Sequence, residues 1–321
     1  MKAIVQDAYG SPEVLRLTDI DTPAVGDGNV LVRVHAAAVH PGDAFILAGV
    51  PYLLRLAYGL RRPRVGVRGY DLAGRVETVG RNVRFQSGDE VFGWTTTGSL
   101  AEYVCVPQDN LARKPANVTM EQAGAVTVSA MPALHALRDA AKVQPGHRVL
   151  IVGASGGVGT FAVQIAKSLG AQVTGVCSTR NVDLVRSIGA DDVIDYTRED
   201  FTRSGRRYDV IVDNVEAQPL SATRRSLAPA GTLVLNSGRG SRWIGPLGRW
   251  AKAGVRSLFT RQTLRPILKG ENQQDLLVLK ELIEDGAVTP VIDRTYPLSD
   301  AAQALAYVGA GHTRGKVVVT I

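Results

Sequence analysis

The sequence predicts an α/β protein of two domains, a doubly wound parallel sheet joined to an antiparallel, barrel-like domain. Three observations carry this. The run Ile151-Val-Gly-Ala-Ser-Gly-Gly-Val-Gly-Thr160 sits between an apolar strand-like segment and a helix-like one. Helical and strand-like segments alternate from residue 120 to 285, the pattern of a parallel sheet. The first 120 residues instead hold short strand signals separated by turns.

Taken in order, Met1–Gln6 reads as a strand and lacks the apolar core of a signal peptide. Residues 29–35, 74–80 and 89–93 are further strand candidates, and Met120 to Ala141 reads as one helix. Then come the strand 148–152, the glycine turn, a helix over 160–169 stopped by Gly170, and the strand 172–176. Together these have the length of one βαβ unit. Strand candidates follow at 193–194, 210–212 and 232–236, and a helix over 273–285 ends at Gly286. The strand-like tail, 288–292 and 316–321, is expected to rejoin the N-terminal domain. The expected domains are therefore 1–121 completed by 286–321, and 122–285, with a ligand in the cleft between them.

At 321 residues and 45% hydrophobic, the chain can bury real cores. No apolar run is long enough to span a bilayer. Two distant cysteines, Cys105 and Cys177, exclude a disulfide framework or cysteine-based structural zinc and favour a reducing cytoplasm. The net charge of +7 is uneven. Arg55, Arg61, Arg62, Arg64 and Arg68 form one cluster, and Gly238 to Gly270 carries eight cations, two tryptophans and no acid. That segment reads as a solvated face over a subunit or domain contact, or as a surface for anionic lipid. No nucleic-acid motif accompanies it.

The glycines have separate physical roles. Gly153 permits a tight turn, Gly156 and Gly157 let a pyrophosphate approach the backbone, and Gly159 lets helix and strand pack. Ser155 and Val158 lie in the same turn, and the N–H groups at the helix start face an anion. The spacing is Gly-x-x-Gly-x-x-Gly. A site for NAD places an acid about 20 residues after such a turn, on the ribose 2′-OH. Here Ser178 and Arg180 stand in that region. A hydroxyl with a guanidinium suits a 2′-phosphate, so NADPH is the expected cofactor.

The order of motifs resembles the medium-chain dehydrogenase/reductase superfamily, most closely its zinc-free, quinone-oxidoreductase-like branch. The segments that carry it are Gly69-Tyr-Asp-Leu-Ala-Gly74, Gly98-Ser-Leu-Ala-Glu-Tyr-Val104, the glycine turn, Ile188–Tyr196, Tyr208–Asp213 and Gly311–Val318. The resemblance implies a Rossmann domain, a GroES-like catalytic domain and homodimers through the Rossmann sheet edge. It adds Tyr196 near the adenosine phosphate. It also implies that the zinc-ligand places of zinc-using relatives hold His40, Tyr70 and the region Thr127–Ser129, which do not complete a metal site.

Without a Lewis acid, conjugated acceptors such as quinones and enones suit hydride transfer better than simple alcohols. His40 stands where zinc-free relatives carry Asn and either takes that hydrogen-bonding place, relays a proton, or is structural. Tyr52 matches an active-site tyrosine and either donates to a substrate oxygen or is a core or lid residue. Asn214, Asn236 and Ser237 end strands where ligands gather. With Thr127 and Lys316 they complete the expected cofactor contacts. The expected function is an NADPH-dependent, metal-free quinone or enone reductase. The alternative is an NADPH-binding adaptor or sensor that uses its basic Trp-bearing segment at a membrane surface.

Overall fold

The structure, a computed structural model, describes residues 1–237 and 240–321. Gly238 and Arg239, the start of the acid-free segment, lie outside the described residues. The chain divides into two compact units, Met1–Met131 with Glu271–Ile321, and Pro132–Gly270. In chain order the strands are β1 Lys2–Gln6, β2 Leu15–Asp19, β3 Asn29–Val39, β4 Asp71–Val79, β5 Glu90–Trp94, β6 Tyr103–Pro107, β7 Leu111–Arg113, β8 Arg148–Val152, β9 Gln172–Cys177, β10 Asp192–Asp195, β11 Tyr208–Asp213, β12 Leu227–Leu235, β13 Thr263–Pro266, β14 Ile292–Pro297 and β15 Lys316–Thr320.

The second unit is a six-stranded parallel sheet in the order β10-β9-β8-β11-β12-β13. This is the doubly wound dinucleotide-binding order, whose direction of winding reverses beside β8. The apolar run of β8 is buried on both faces, as helices on both sides of a parallel sheet require. The register aligns the carboxyl ends of the strands: Val152 pairs with Val176 and Asp213, Asp213 with Leu235, and Cys177 with Asp195. That line of strand ends is where side chains for a ligand are gathered.

In the first unit β3 is the spine. It pairs antiparallel with β4, β6 and β15, within a sheet ordered β14-β15-β3-β4-β5-β7. The last strand docks through Val317↔Val39, Val318↔Ala38 and Val319↔Ala37. The small residues Ala36 and Ala38 leave room for Ala125 and Val318 to pack against them.

Three elements differ from the sequence reading. The helix expected over 120–141 is three pieces: Met120–Ala123, Thr127–Leu134 and a wider π turn over His135–Ala140. The first break is at Gly124, where a Cβ would lie 2.8 Å from the Ala36 carbonyl oxygen. Pro132, which lacks an N–H, precedes the π turn. The helix Gln273–Glu284 clusters with the first unit, so the units divide at 131/132 and 270/271 rather than 121/122 and 285/286. Gln273 Nε2 donates to the Leu111 carbonyl (3.1 Å), and Asn117 Nδ2 donates to that of Ile283 (2.7 Å). Helical periodicity does not say which sheet a helix covers. Finally, the first tail strand is Ile292–Pro297 rather than 288–292. No helix among the described residues is long and apolar enough to cross a membrane.

Candidate functional site

In the second unit the glycine turn joins β8 to the helix Gly157–Ser168. Gly153 has φ +76°, and its N–H and that of Ala154 donate to the Val176 carbonyl (3.1 and 3.0 Å). A Cβ on Gly159 would lie 2.0 Å from the Gly153 carbonyl oxygen, so only glycine allows helix and turn to meet here. At Gly156, the residue capping the helix, a Cβ would meet nothing of the protein closer than 3.5 Å, and no side chain caps the helix N–H groups. That leaves an open cradle with amide donors, which fits a pyrophosphate.

Sequence reasoning missed Asn181, which organises the donors around this turn. It is buried, and its Nδ2 donates to Ser155 Oγ (3.0 Å) and Ser178 Oγ (3.2 Å). Each serine oxygen thereby accepts a bond, and each keeps its own proton for an acceptor elsewhere. Arg180 and Tyr196 are exposed beside them. Asp195 was also missed. It accepts from Thr179 Oγ1 (2.6 Å) and Thr197 Oγ1 (2.8 Å), so its charge is met by hydroxyls. A polar residue opening a helix is visible in sequence, but its burial is not.

At the ends of β11 and β12, Asn236 Nδ2 donates to Asn214 Oδ1 (2.7 Å), and Asn214 Nδ2 donates to the Val152 carbonyl (3.1 Å). Ser237 follows directly. Just behind, Arg249 lies 3.4 Å from both Asp213 Oδ2 and Glu216 Oε2. Glu216 has φ +55°, and its carboxyl is raised to about 7 by burial, with Arg249 opposing and Asp213 adding. A cavity of about 740 Å³, lined by Arg148, Gln172, Asp191 and Arg206, opens at the other, amino-terminal ends of the strands. Ligands of such sheets gather at the carboxyl ends, so it is not the candidate site.

The first unit holds the other expected residues. His40 precedes the helix Pro41–Ala48 with its side chain only 15% exposed. Its backbone N–H donates to Asp43 Oδ2 (2.9 Å), and its Nε2 lies 3.4 Å from the same oxygen without a hydrogen bond. Burial, and then the Lys316 charge, lowers the imidazole to about 4. Burial raises Asp43 to about 6, against the His40 N–H and the charges of Lys316 and Arg68. At neutral pH the imidazole is neutral and the carboxylate ionised. Tyr70 is 6.0 Å from His40 between ring centroids, and its hydroxyl donates to Tyr58 (3.1 Å). Tyr52 is half-buried with the Arg55 guanidinium 5.0 Å from its ring centroid. Arg68, read as part of a basic cluster, is instead buried and donates to the Val65 carbonyl.

Two of the expected cofactor contacts, Lys316 and Thr127, have partners within the first unit. The Lys316 ammonium is buried and donates to Asp71 Oδ2 (3.0 Å) and Ser129 Oγ (2.9 Å), while the Val128 N–H holds Asp71 Oδ1 (2.7 Å). A fully buried carboxylate requires such a counter-charge. Thr127 is buried, its hydroxyl donating to the Gly93 carbonyl (3.1 Å). The same geometry bears on zinc. Of the side chains at the expected ligand places, Ser129 is taken by an ammonium and Tyr70 by Tyr58. A buried cation next to a dication is strongly repulsive, so this donor set does not fit zinc.

The chain matches the alcohol dehydrogenase GroES-like domain family over residues 26–116 and the zinc-binding dehydrogenase family over 188–319. It is 35% identical to the mitochondrial NAD(P)H oxidoreductase RTN4IP1 of Mus musculus, covering 100% of this chain and 89% of that protein. It is 32% identical to the chloroplastic NADPH-dependent alkenal/one oxidoreductase of Arabidopsis thaliana, over 99% and 79%. The solved quinone oxidoreductase of Coxiella burnetii superposes with a TM-score of 0.87 at 29% identity, over 100% and 99%.

Breaking the buried pair strands a charge. Lys316→Met is expected to cost about 3–5 kcal/mol in urea unfolding, with Lys316→Met/Asp71→Leu recovering much of it. A second expectation concerns pH. The unfolded Asp43 ionises near 3.8 and the folded one near 6, so its contribution falls by about 3 kcal/mol as pH rises through that window. The unfolded His40 loses its proton near 6.5 and the folded one near 4, so its contribution rises by a similar amount. The two oppose in the wild type. Unfolding free energy against pH should climb in Asp43→Asn and decline in His40→Asn; slopes of one sign in both variants would contradict the assignment.

Proposed function

The chain belongs to the medium-chain dehydrogenase/reductase superfamily, and from that premise we propose an NADPH-dependent, zinc-independent reductase of quinones or α,β-unsaturated carbonyls. It is an oxidoreductase with a nicotinamide cofactor. The observation that carries the finer reading is the buried Lys316 ammonium bonded to Asp71 and Ser129. A donor set unsuited to a dication leaves acceptors whose own conjugation spreads the incoming charge. The names of the alkenal/one and quinone oxidoreductase relatives point to the same substrate class.

When bound, NADPH supplies the hydride. The cofactor is held, on this reading, by Gly153, Ser155, Gly156, Gly157, Val158 and Gly159 at the pyrophosphate, by Ser178, Arg180 and Tyr196 at the 2′-phosphate end, and by Asn214, Asn236 and Ser237 at the ends of β11 and β12. Ser155 and Ser178 donate to anionic oxygens because Asn181 already occupies one acceptor site on each. Lys316 and Thr127 are proposed as further cofactor-binding residues from the first unit, alongside their partners there. Tyr52 is proposed as the donor to the substrate oxygen. His40, neutral at working pH, is a hydrogen-bonding group rather than a strong acid. We propose a homodimer in a reducing compartment such as the cytoplasm, consistent with two free cysteines.

Arg180→Glu should weaken NADPH binding by about ten- to a hundredfold while changing NADH binding little, measured by fluorescence titration. Asn181→Leu should do the same more mildly, and its effect should vanish in a Ser178→Ala/Ser155→Ala background. Equal NADPH affinity in Arg180→Glu would remove the 2′-phosphate assignment. The reaction class is tested by NADPH oxidation against quinones, enones and aldehydes, with and without a zinc chelator. Chelator-insensitive turnover of conjugated acceptors is expected, and turnover confined to aldehydes would defeat the proposal.

A further inference from the structure

In the first unit, the stretch between Asp43 and Asp71 holds five arginines and no acid. Among the described residues none of the five is ion-paired; their bonds run to backbone carbonyls. Arg55 Nε donates to Gly49 (3.0 Å), Arg64 Nη1 to Ala57 (3.5 Å) and Arg68 Nη2 to Val65. Arg61, Arg62 and Arg64 are exposed. Arg68 is only 6% exposed, and its Nε has no hydrogen-bond partner among the described residues. Its backbone is held on both sides, donating to the Ile4 carbonyl (3.4 Å) and accepting from the Leu100 N–H (2.8 Å). Burial lowers the guanidinium's hold on its proton, and Tyr70, Asp43, Tyr9 and Tyr58 are the acidic groups that oppose this. Asp43 is the one carboxylate among them; it accepts from the His40 N–H (2.9 Å) and makes no ion pair with Arg68. Tyr9 donates to the Gly59 carbonyl (2.6 Å), and Tyr70 donates to Tyr58 (3.1 Å). Tyr58, half-buried, therefore keeps its own proton, with no acceptor for it among the described residues.

A buried guanidinium with unmet donors is costly unless an anion meets it. A nucleic acid or a bilayer would engage the exposed arginines and leave Arg68, beneath the surface, as it is. A small ligand can reach it. The planar fork of one guanidinium matches the two oxygens of a carboxylate, and the free Tyr58 proton supplies a further donor. The exposed arginines raise the local concentration of anions around this point. Arg55 lies over both Tyr9 and Tyr52, 4.6 and 5.0 Å from their ring centroids. That sets the unmet donors beside the tyrosine proposed to meet the substrate oxygen. We propose that Arg68 and Tyr58 receive a carboxylate borne by the acceptor, so that the substrates are conjugated carbonyls with a free carboxylate. The chemistry of this inference rests on the reductase reading; the anion site itself does not.

The test pairs 4-oxopent-2-enoate with its methyl ester as acceptors for the full chain and NADPH. In each, hydride adds to the alkene carbon β to the ketone and a solvent proton to its neighbour, giving the saturated product and NADP⁺. The acid is expected to exceed the ester in kcat/KM by about tenfold or more. That ratio should fall toward one in Arg68→Met and in Tyr58→Phe. Without cofactor, 4-oxopentanoate should raise the thermal midpoint of the wild type and not that of Arg68→Met. Arg68→Met alone should melt above the wild type, because it removes an unpaired buried charge. A lower midpoint would mark a structural arginine and overturn the proposal. If no conjugated acceptor is turned over, the reductase reading fails, and the thermal shift still decides the anion site. Equal kcat/KM for acid and ester, or stabilisation by inorganic phosphate but not by 4-oxopentanoate, also overturns the proposal.

Discussion

A single buried ion pair constrains the first unit. Asp71 opens β4 and is wholly inaccessible, so its charge must be answered from within. Lys316, the first residue of β15, answers it, and Ser129 and the Val128 N–H complete the coordination. Three distant stretches of chain are thereby brought to one point. The same ammonium depresses His40 and helps hold Asp43 toward its ionised form, against the burial that raises it. Burial sets the direction in which both neighbouring groups shift, and the charge that holds the fold together modulates it. That charge is what makes the donor set hostile to a divalent metal, although one of the families the chain matches is described as zinc-binding.

The second unit depends on accounting of another kind. Parallel register aligns the strand ends, and glycine lets backbone approach backbone where a methyl group would collide. Within that frame, the direction of two hydroxyl protons follows from one amide. Because Asn181 donates to both serines, each serine is left as a donor. The reversed amide would turn lone pairs outward and favour a ribose hydroxyl over a phosphate. Cofactor preference on this reading is a matter of hydrogen-bond polarity as well as of the charge on Arg180.

The fold was legible in the sequence because its signals are local. The βαβ length, the glycine turn and the alternation after residue 120 all lie within short windows. The strand-end residues Asn214 and Asn236 were legible for the same reason, and they do meet. What escaped depends on long-range packing. Lys316 and Thr127 were legible as polar residues, but only the tertiary structure shows which protein groups they bond. Asn181 and Asp195 sit one position away from residues that were singled out, yet no pattern in sequence announces that Asn181 is buried or that Asp195 gathers two hydroxyls. The split helix over 120–141 was hidden because Gly124 is forced by the backbone of β3, far away in sequence.

The placement of the cofactor-binding unit as an insertion has a consequence for how the protein is made. The partners Asp71 and Lys316 are 245 positions apart, and the whole of residues 132–270 is translated between them. While the ribosome elongates through that insertion, the N-terminal sheet lacks β15 along one side of β3 and Asp71 lacks its counter-ion. The inserted unit has contiguous sequence and can close on itself as it emerges. Vectorial synthesis therefore favours completion of the nucleotide-binding unit first, with the surrounding unit locked only when its final strand arrives. The sheet edge of β3 must meanwhile be kept from the wrong partners.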